Sequence, residues 1–435
     1  MTSLANRNVP LFIAFRVFFN ARWYYPVMAV LFLDLGLTLE HYALLNVAWA
    51  ISIVCLEVPL GTLADQLGRK KLVVLAAMLM VVEMVFFAFA PRGSVWLFPM
   101  LLLNRICSGA AEACASGADE SLAYESLREE GREAEWPGVL ARLMRWQSTG
   151  FFVAMLLGSA VYDPKLVQHA CDFLGLHATI THETTLRWPL YLTLGNAIVT
   201  LLITLQMREP ITTGPAKSLS VRGAWGQTIA TGRWILHTRN VLFVMIAGFC
   251  IDSVARLFLT VGSNYYRLIQ LPEASFGLIG SAFALLGIFV AGLAEKLSKS
   301  QTLVANFAIT AGVSLAGLLF AALFIPWWGV LAVVPIGGAM SLLQFFLSHY
   351  LNQFIPDSSR RATVLSFKGL CFNLAYGAVG LIFAGFTRAR SASGTPDVVF
   401  MEAMHWLPWF FALLVFVVVI ATPRLLPSPT TATQP

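Results

Sequence analysis

The sequence predicts an all-α membrane protein of about twelve transmembrane helices, and three observations carry that prediction. The chain has 435 residues, 58% of them hydrophobic and only 12% charged, with a mean hydropathy of +0.73. A soluble chain carries about 25% charged residues. Half that share cannot cover the surface of a water-soluble protein of this size, which sets aside a soluble multidomain enzyme. Apolar stretches of about 20 residues, the length that crosses the hydrocarbon of a bilayer, recur along the chain. The alternating ten-residue strands of a membrane barrel are absent. Finally, Lys and Arg fall on one side of the successive stretches far more often than on the other.

The first expected span, residues 11–33, is long and holds Arg16 and Arg22. It lacks a small-residue cleavage site, so it reads as a span and not as a removed leader. Spans follow at 41–60, 72–90, 95–117, 146–162, 188–207, 241–262, 276–294, 302–325, 328–350, 364–387 and 404–426. With the N-terminus in the cytoplasm, nineteen Lys and Arg lie in cytoplasmic segments. Six lie opposite: Arg92, Lys165, Arg187, Arg267, Arg388 and Arg390. The positive-inside bias therefore places both termini in the cytoplasm. The short outer segments carry no N-x-[ST] sequon, which favours a bacterial plasma (inner) membrane. The net charge of +6 mostly reflects this topology, and no basic module for nucleic acid is visible.

Between the spans, "DESLAYESLREEGREAEWPGVLARLMRW" reads as a charged, solvated helix broken near Pro137. Residues 208–240 form the longest cytoplasmic connection. Its start, "REPITTGPAKS", is a linker by composition. Its continuation carries Trp225, Ile229, Trp234, Ile235 and Leu236 among basic residues and predicts a short helix lying on the bilayer. The domains expected are thus an N-terminal six-helix bundle over 1–207, this linker over 208–240, a C-terminal six-helix bundle over 241–426 and a disordered tail over 427–435.

Reactive chemistry is sparse. The six cysteines form no C-x-x-C pair and, Cys171 aside, fall inside spans, where they read as small buried hydrophobes. The seven histidines form no metal pair at helical spacing. No H-E-x-x-H, G-x-S-G or paired aspartates, and no phosphate-binding loop, are present. Neither a metal, nor a cofactor, nor an enzymatic activity is expected.

One charged hairpin stands out. "GTLADQLGRKK" (Gly61–Lys71) lies on the cytoplasmic side between spans two and three. A shift of 230 residues lays "LADQLGR" (Leu63–Arg69) on "LAEKLSK" (Leu293–Lys299), just after span eight. Acid matches acid, Leu67 matches Leu297 and Arg69 matches Lys299. A repeat of six spans plus six explains both the match and its position.

The hairpin resembles the signature loop of the major facilitator superfamily, G-x-L-a-D-x-x-G-R-[KR]-x, through Gly61, Leu63, Asp65, Gly68, Arg69 and Lys70. "EVPLG" (Glu57–Gly61) resembles a common prelude to it in bacterial members. The resemblance implies two six-helix bundles that rock around a central cavity, working as a monomer. It also implies a gate: Asp65 would face the N-terminus of span eleven, here "PDSSRRATVLSF", with Ser358 or Ser359 as N-cap. The alternative for the hairpin is a topology anchor made of Arg69, Lys70 and Lys71. In span four, "NRICSGAAEACASGADE" resembles the family pattern R-x-x-q-G-x-g-a through Arg105, Gly109 and Ala111, with Ser108 where Gln is common. The matching arginine of family antiporters is linked to proton transfer. Span five has Gly150 and Gly158 but lacks the family antiporters' Gly-Pro pair.

Intramembrane charges are expensive and mark functional positions. Glu112 lies two turns after Arg105 on the same face. It reads either as a proton carrier or as a structural partner of that arginine. Arg16 and Asn20 are four apart on one face of span one, with Arg22 deeper. Asp252 and Arg256 are four apart in span seven, and Glu83 is a further acid in span three. Together these residues predict a mixed cavity whose arginines suit a substrate with an anionic group; the alternative is that the charges satisfy one another. The function expected is secondary transport of a small organic solute by alternating access, coupled to protons. A multidrug efflux antiporter is one alternative, which the missing Gly-Pro pair disfavours. A non-transporting receptor or scaffold on the same fold is another, which the intact gate residues disfavour. The expected partners are the solute, protons and the lipid bilayer.

Overall fold

A computed structural model describes residues 3–210, 221–355, 358–392 and 394–425. The expected tail at 427–435 and the linker residues 211–220 lie outside the described residues, as do the side chains of 61, 62, 64–66, 284, 285, 288, 358–363 and 423–425. Among the described residues the chain is almost wholly helical, with no strand.

Among the described residues, eight helices are long and apolar enough to cross a membrane. A ninth is the fifth span if Glu133–Tyr162 is joined to Pro164–Phe173, from which it is bent by 84°. The other expected spans miss this criterion for identifiable reasons. The first span is broken into Leu4–Asn20 and Met28–Asp34. The fourth, Leu97–Ala115, carries Asn104, Arg105 and Glu112. The eighth, Phe276–Ser300, includes side chains outside the described residues. Met78, Val82, Leu202, Phe289 and Phe416 are exposed. Such faces would be an aggregation hazard in water and are neutral in lipid.

The chain forms two compact units, one of residues 1–224 with 271–282, the other of 225–270 with 283–435. In the first unit the break in span one is its most informative feature. The helix stops at Asn20, and a short 3-10 turn at Tyr25–Val27, with Pro26 in its first turn, restarts it. Freed backbone groups inside a membrane must find partners. Here the sixth span, Trp188–Gln206, supplies them: Trp23 N donates to Thr193 Oγ1 at 3.1 Å and Asn196 Nδ2 donates to the Ala21 carbonyl at 2.9 Å. The fifth-span glycines serve the same region. A Cβ on Gly158 would collide with the Trp23 backbone, and one on Gly150 would come within 2.7 Å of Val17. Their role in the fold is close helix approach.

After span four, the connector helix Ala118–Arg128 is not the solvated helix expected. Ala123 and Leu127 are buried against Ala5, Val9 and Phe12 of span one, and Leu122 is buried as well. Of its charges, Glu120 and Arg128 are exposed, whereas Asp119 is buried. The break expected near Pro137 is present: the connector helix ends at Arg128, and Pro137 stands in the first turn of the fifth span Trp136–Tyr162, where its missing N–H costs no intrahelical hydrogen bond.

The hairpin between spans two (Leu39–Leu67) and three (Arg69–Ala88) turns on Gly68, whose φ of +98° favours glycine. Glu209, just past span six, accepts hydrogen bonds from Arg69 N at 2.8 Å and Lys70 N at 2.7 Å. A carboxylate on the first free N–H groups stabilises a helix start.

Residues 271–282 belong to the first unit although they follow span seven. Ala274 N donates to Asp163 Oδ2 at 3.1 Å, and Ser159 Oγ donates to the Ala274 carbonyl at 3.0 Å. Gly277 sits where a Cβ would meet the Met155 carbonyl.

The second unit is built on the seventh span, Arg239–Thr260, which is buried along most of its length. It packs against the tenth (Val333–Phe354), eleventh (Ser358–Arg390) and twelfth (Pro396–Leu425) spans. Gly248 admits Leu347 and Phe372 to its surface. A helix runs over Val221–His237 in the stretch where the sequence predicts one, with Ile235 buried and Ile229 and Leu236 exposed.

Candidate functional site

Each unit carries a polar centre inside its apolar interior. In the first unit Arg22, held at the break of span one, forms an ion pair with Glu83 of span three. Both are buried, at 4% and 0% exposure. Arg22 Nε also donates to the Phe19 carbonyl at 3.1 Å, one of the groups freed by the break. Asn104 of span four donates to the Glu83 carbonyl at 2.9 Å, so three spans converge on this pair.

Arg105, one residue after Asn104, behaves differently. It is 4% exposed, yet its Nε and Nη2 have no hydrogen-bond partner. Its guanidinium lies over the Phe32 ring, 4.9 Å from the centroid. Among the described residues it forms no ion pair. Glu112 is half-buried on the same helix and likewise has no hydrogen bond or ion pair among the described residues. The seven-residue spacing thus does not bring Arg105 and Glu112 into a pair. Gly109, between them, packs the helix tightly on span two: a Cβ there would lie 2.7 Å from Ser52 Cβ and 2.8 Å from the Trp49 carbonyl.

In the second unit Asp252 and Arg256 approach to 2.6 Å, as their four-residue spacing allows. The contact is close but poorly aligned, since neither Asp252 oxygen has a hydrogen-bond partner in proper geometry. Arg256 also donates to Asn373 Oδ1 of span eleven at 3.1 Å and lies over the Tyr376 ring. Lys368, which the sequence places among the cytoplasmic charges, is half-buried and close enough to act on Asp252.

The remaining expected residues are placed elsewhere. Arg16 pairs with Asp119, at 3.0 Å from Nη2 to Oδ1, at the start of the connector helix. Burial pushes the Asp119 carboxyl up to about 6 even with Arg16 beside it. Asn20 Nδ2 donates to the Arg16 carbonyl. Of the gate, Glu57 is half-buried. Arg69 donates to the Ser121 carbonyl at 3.3 Å and lies 3.4 Å from Glu125. Lys70 serves through its backbone N–H. Gly61 and Asp65, and the caps Ser358 and Ser359, lie outside the residues whose side chains are described. The repeat counterpart of Asp65, Glu295, is paired with Lys299 at 2.6 Å.

Thr193, Asn196, Glu209, Lys368 and Asn373 escape sequence reasoning. An amide in the interior of the mostly apolar sixth span is a readable sign for Asn196. Glu209 gives none, because its helix start is 139–140 residues away in sequence.

Two helical units with charges buried in their apolar interiors define a multi-pass membrane protein of the solute-transporter class. The family model of the Major Facilitator Superfamily matches residues 11–380, and the chain belongs to that family. No curated protein sequence matches it. Solved structures share the fold at low identity. The nucleoside transporter NupG is 13% identical, with a TM-score of 0.75 over 97% of this chain and 100% of its own. A bacterial homologue of the human lysosomal transporter Spinster, inward-facing and unoccupied, is 15% identical, with a TM-score of 0.69 over 99% and 100%. A POT family transporter in complex with 5-aminolevulinic acid is 15% identical, with a TM-score of 0.61 over 96% and 97%.

Proposed function

We propose that the protein is a secondary active transporter that moves a small organic solute bearing an anionic group by alternating access, with protons as the coupling ion. One observation carries the anionic part. The other intramembrane arginines have protein acids beside them, Arg22 with Glu83 and Arg256 with Asp252, whereas Arg105 is buried with two unpartnered donor atoms. A buried polar group left unsatisfied needs an explanation, and a carboxylate or phosphate on the solute supplies one. Glu112, two turns along the same helix and without a hydrogen bond or ion pair among the described residues, is the acid assigned to the proton. Asp252 is the corresponding acid of the second unit. The hairpin with Glu57, Gly61, Asp65, Gly68, Arg69 and Lys70 is assigned the conformational switch. The neighbouring structures support a small-molecule cargo, since those proteins are described as carrying nucleosides or as holding 5-aminolevulinic acid or a peptide conjugate.

Thermal stability of the purified protein against paired anionic and neutral solutes, at two pH values, tests this reading. A ligand that binds the folded state raises the melting temperature by mass action. Anionic members should stabilise and their neutral isosteres should not. Stabilisation by neutral or cationic compounds alone would overturn it.

The reading places the chain in a bacterial inner membrane with both termini in the cytoplasm, supported by the nineteen-to-six charge bias. Single cysteines introduced into a cysteine-free background should be labelled from outside intact cells at position 165. Positions 69, 128 and 222 should react only after permeabilisation. External labelling at 69 would invert the topology.

A further inference from the structure

The spacing of histidines in the sequence reveals no metal pair, yet the fold gathers one set of ligands that spacing does not show. Asp34 ends the first span, His182 starts the short helix His182–Thr185 between spans five and six, and Glu273 lies in the segment before span eight. Asp34 Oδ2 is 3.3 Å from His182 Nε2, and Glu273 Oε2 is 3.8 Å from the same nitrogen. One ligand atom from each of the three lies within 4.8 Å of the others. Tetrahedral zinc, with bonds of about 2.0–2.2 Å, holds its ligand atoms about 3.3–3.6 Å apart. The observed separations need only a small contraction to reach that geometry.

The surroundings fix these ligands. The Tyr162 hydroxyl donates to Asp34 Oδ2, and its ring meets the His182 ring edge-on, with centroids 5.2 Å apart. Asp163 accepts from Lys165 N, Leu166 N and Ala274 N, which sets the turn that presents Glu273. Outer partners of this kind orient metal ligands and raise affinity. The side chains of Asp34, His182 and Glu273 are 19%, 38% and 18% exposed. That leaves an entry path and room for a water as fourth ligand.

We propose that Asp34, His182 and Glu273 form a binding site for a divalent transition ion of the zinc type. Imidazole and carboxylate are both ligand types that zinc takes, and three protein ligands leave the fourth position of a tetrahedral site to water. Calcium and magnesium, which take six or more oxygen ligands, are poorly served by it. A bound ion would tie the end of span one and the loop between spans five and six to residues 271–282. It would thereby fix the entry to span eight on the first unit.

The test needs no transport substrate. Full-length protein without a histidine tag, stripped with chelator, is titrated with Zn2+ and with Co2+. The expected result is one ion per chain and the intense visible absorption of four-coordinate cobalt. His182→Ala and Glu273→Gln should each lower affinity at least ~10-fold, while His177→Ala and His169→Ala in the same loop leave it unchanged. Weak six-coordinate cobalt absorption, or binding that survives His182→Ala, would overturn the proposal. So would equal loss in the His177 and His169 variants, which would trace binding to scattered surface imidazoles. If His182→Ala fails to purify, Glu273→Gln with the cobalt spectrum decides the question alone.

Discussion

Glu83→Leu should destabilise the protein by about 3–5 kcal/mol, the cost of leaving one member of a buried ion pair without its partner. Arg22 and Glu83 are 4% and 0% exposed, so the remaining guanidinium would have neither water nor acid to answer it. The backbone offers it only the Phe19 carbonyl. A much smaller loss would follow if the pair were exposed, since surface pairs contribute about 0–1 kcal/mol. The double variant Arg22→Met, Glu83→Leu removes both charges and should return to the stability of the parent or above, because apolar side chains of similar size are tolerated where a buried pair was. Urea or thermal unfolding of the three proteins in one detergent measures the cycle. A single variant within about 1 kcal/mol of the parent would mean that water reaches the pair. The double variant also separates structure from function. If it folds and still transports, the pair only holds the broken first span in place; if it folds and fails, the charges act on solute or proton.

How much of this was readable in the sequence depends on the distance between partners. Asp252 and Arg256 sit one helical turn apart, and their approach follows from that spacing alone. The hairpin was readable for a similar reason, since its glycines and charges are contiguous and its repeat lies at a fixed offset. Arg22 and Glu83 are 61 residues apart. Each was legible as an expensive intramembrane charge, but nothing local distinguishes a cavity residue from a member of an internal pair. The break in span one was harder still. Its sequence, "NARWYYPV", is apolar enough to pass for continuous helix, and the groups that make the break tolerable, Thr193 and Asn196, sit in span six. The connector helix reads as solvated because its charge density hides Ala123 and Leu127, which become meaningful only once the start of span one lies against them.

Arg105→Gln should leave stability unchanged or slightly raised and should weaken solute binding by about 2–5 kcal/mol, roughly 30- to 4,000-fold. The two halves of this expectation have one cause. Nε and Nη2 of Arg105 satisfy no protein group, so the folded protein bears the desolvation of a guanidinium and gains only the contact over Phe32 in return. Removing the charge relieves that cost. With an anionic solute present, the same two donors become charge-assisted hydrogen bonds in a site closed to water, where such bonds are strongest. Arg105→Lys sharpens the test. It keeps the charge but replaces a planar fork with a single rotating ammonium, so affinity should fall to a value between those of the parent and Arg105→Gln. The pattern expected of a structural brace is the reverse. Arg105→Gln would then unfold as easily as Glu83→Leu and would bind solute with parental affinity. Melting curves and solute titrations on the same samples distinguish the two. Glu112→Gln, measured alongside, should alter the pH dependence of transport while leaving solute affinity in place, because that acid is assigned the proton and the arginine the anion.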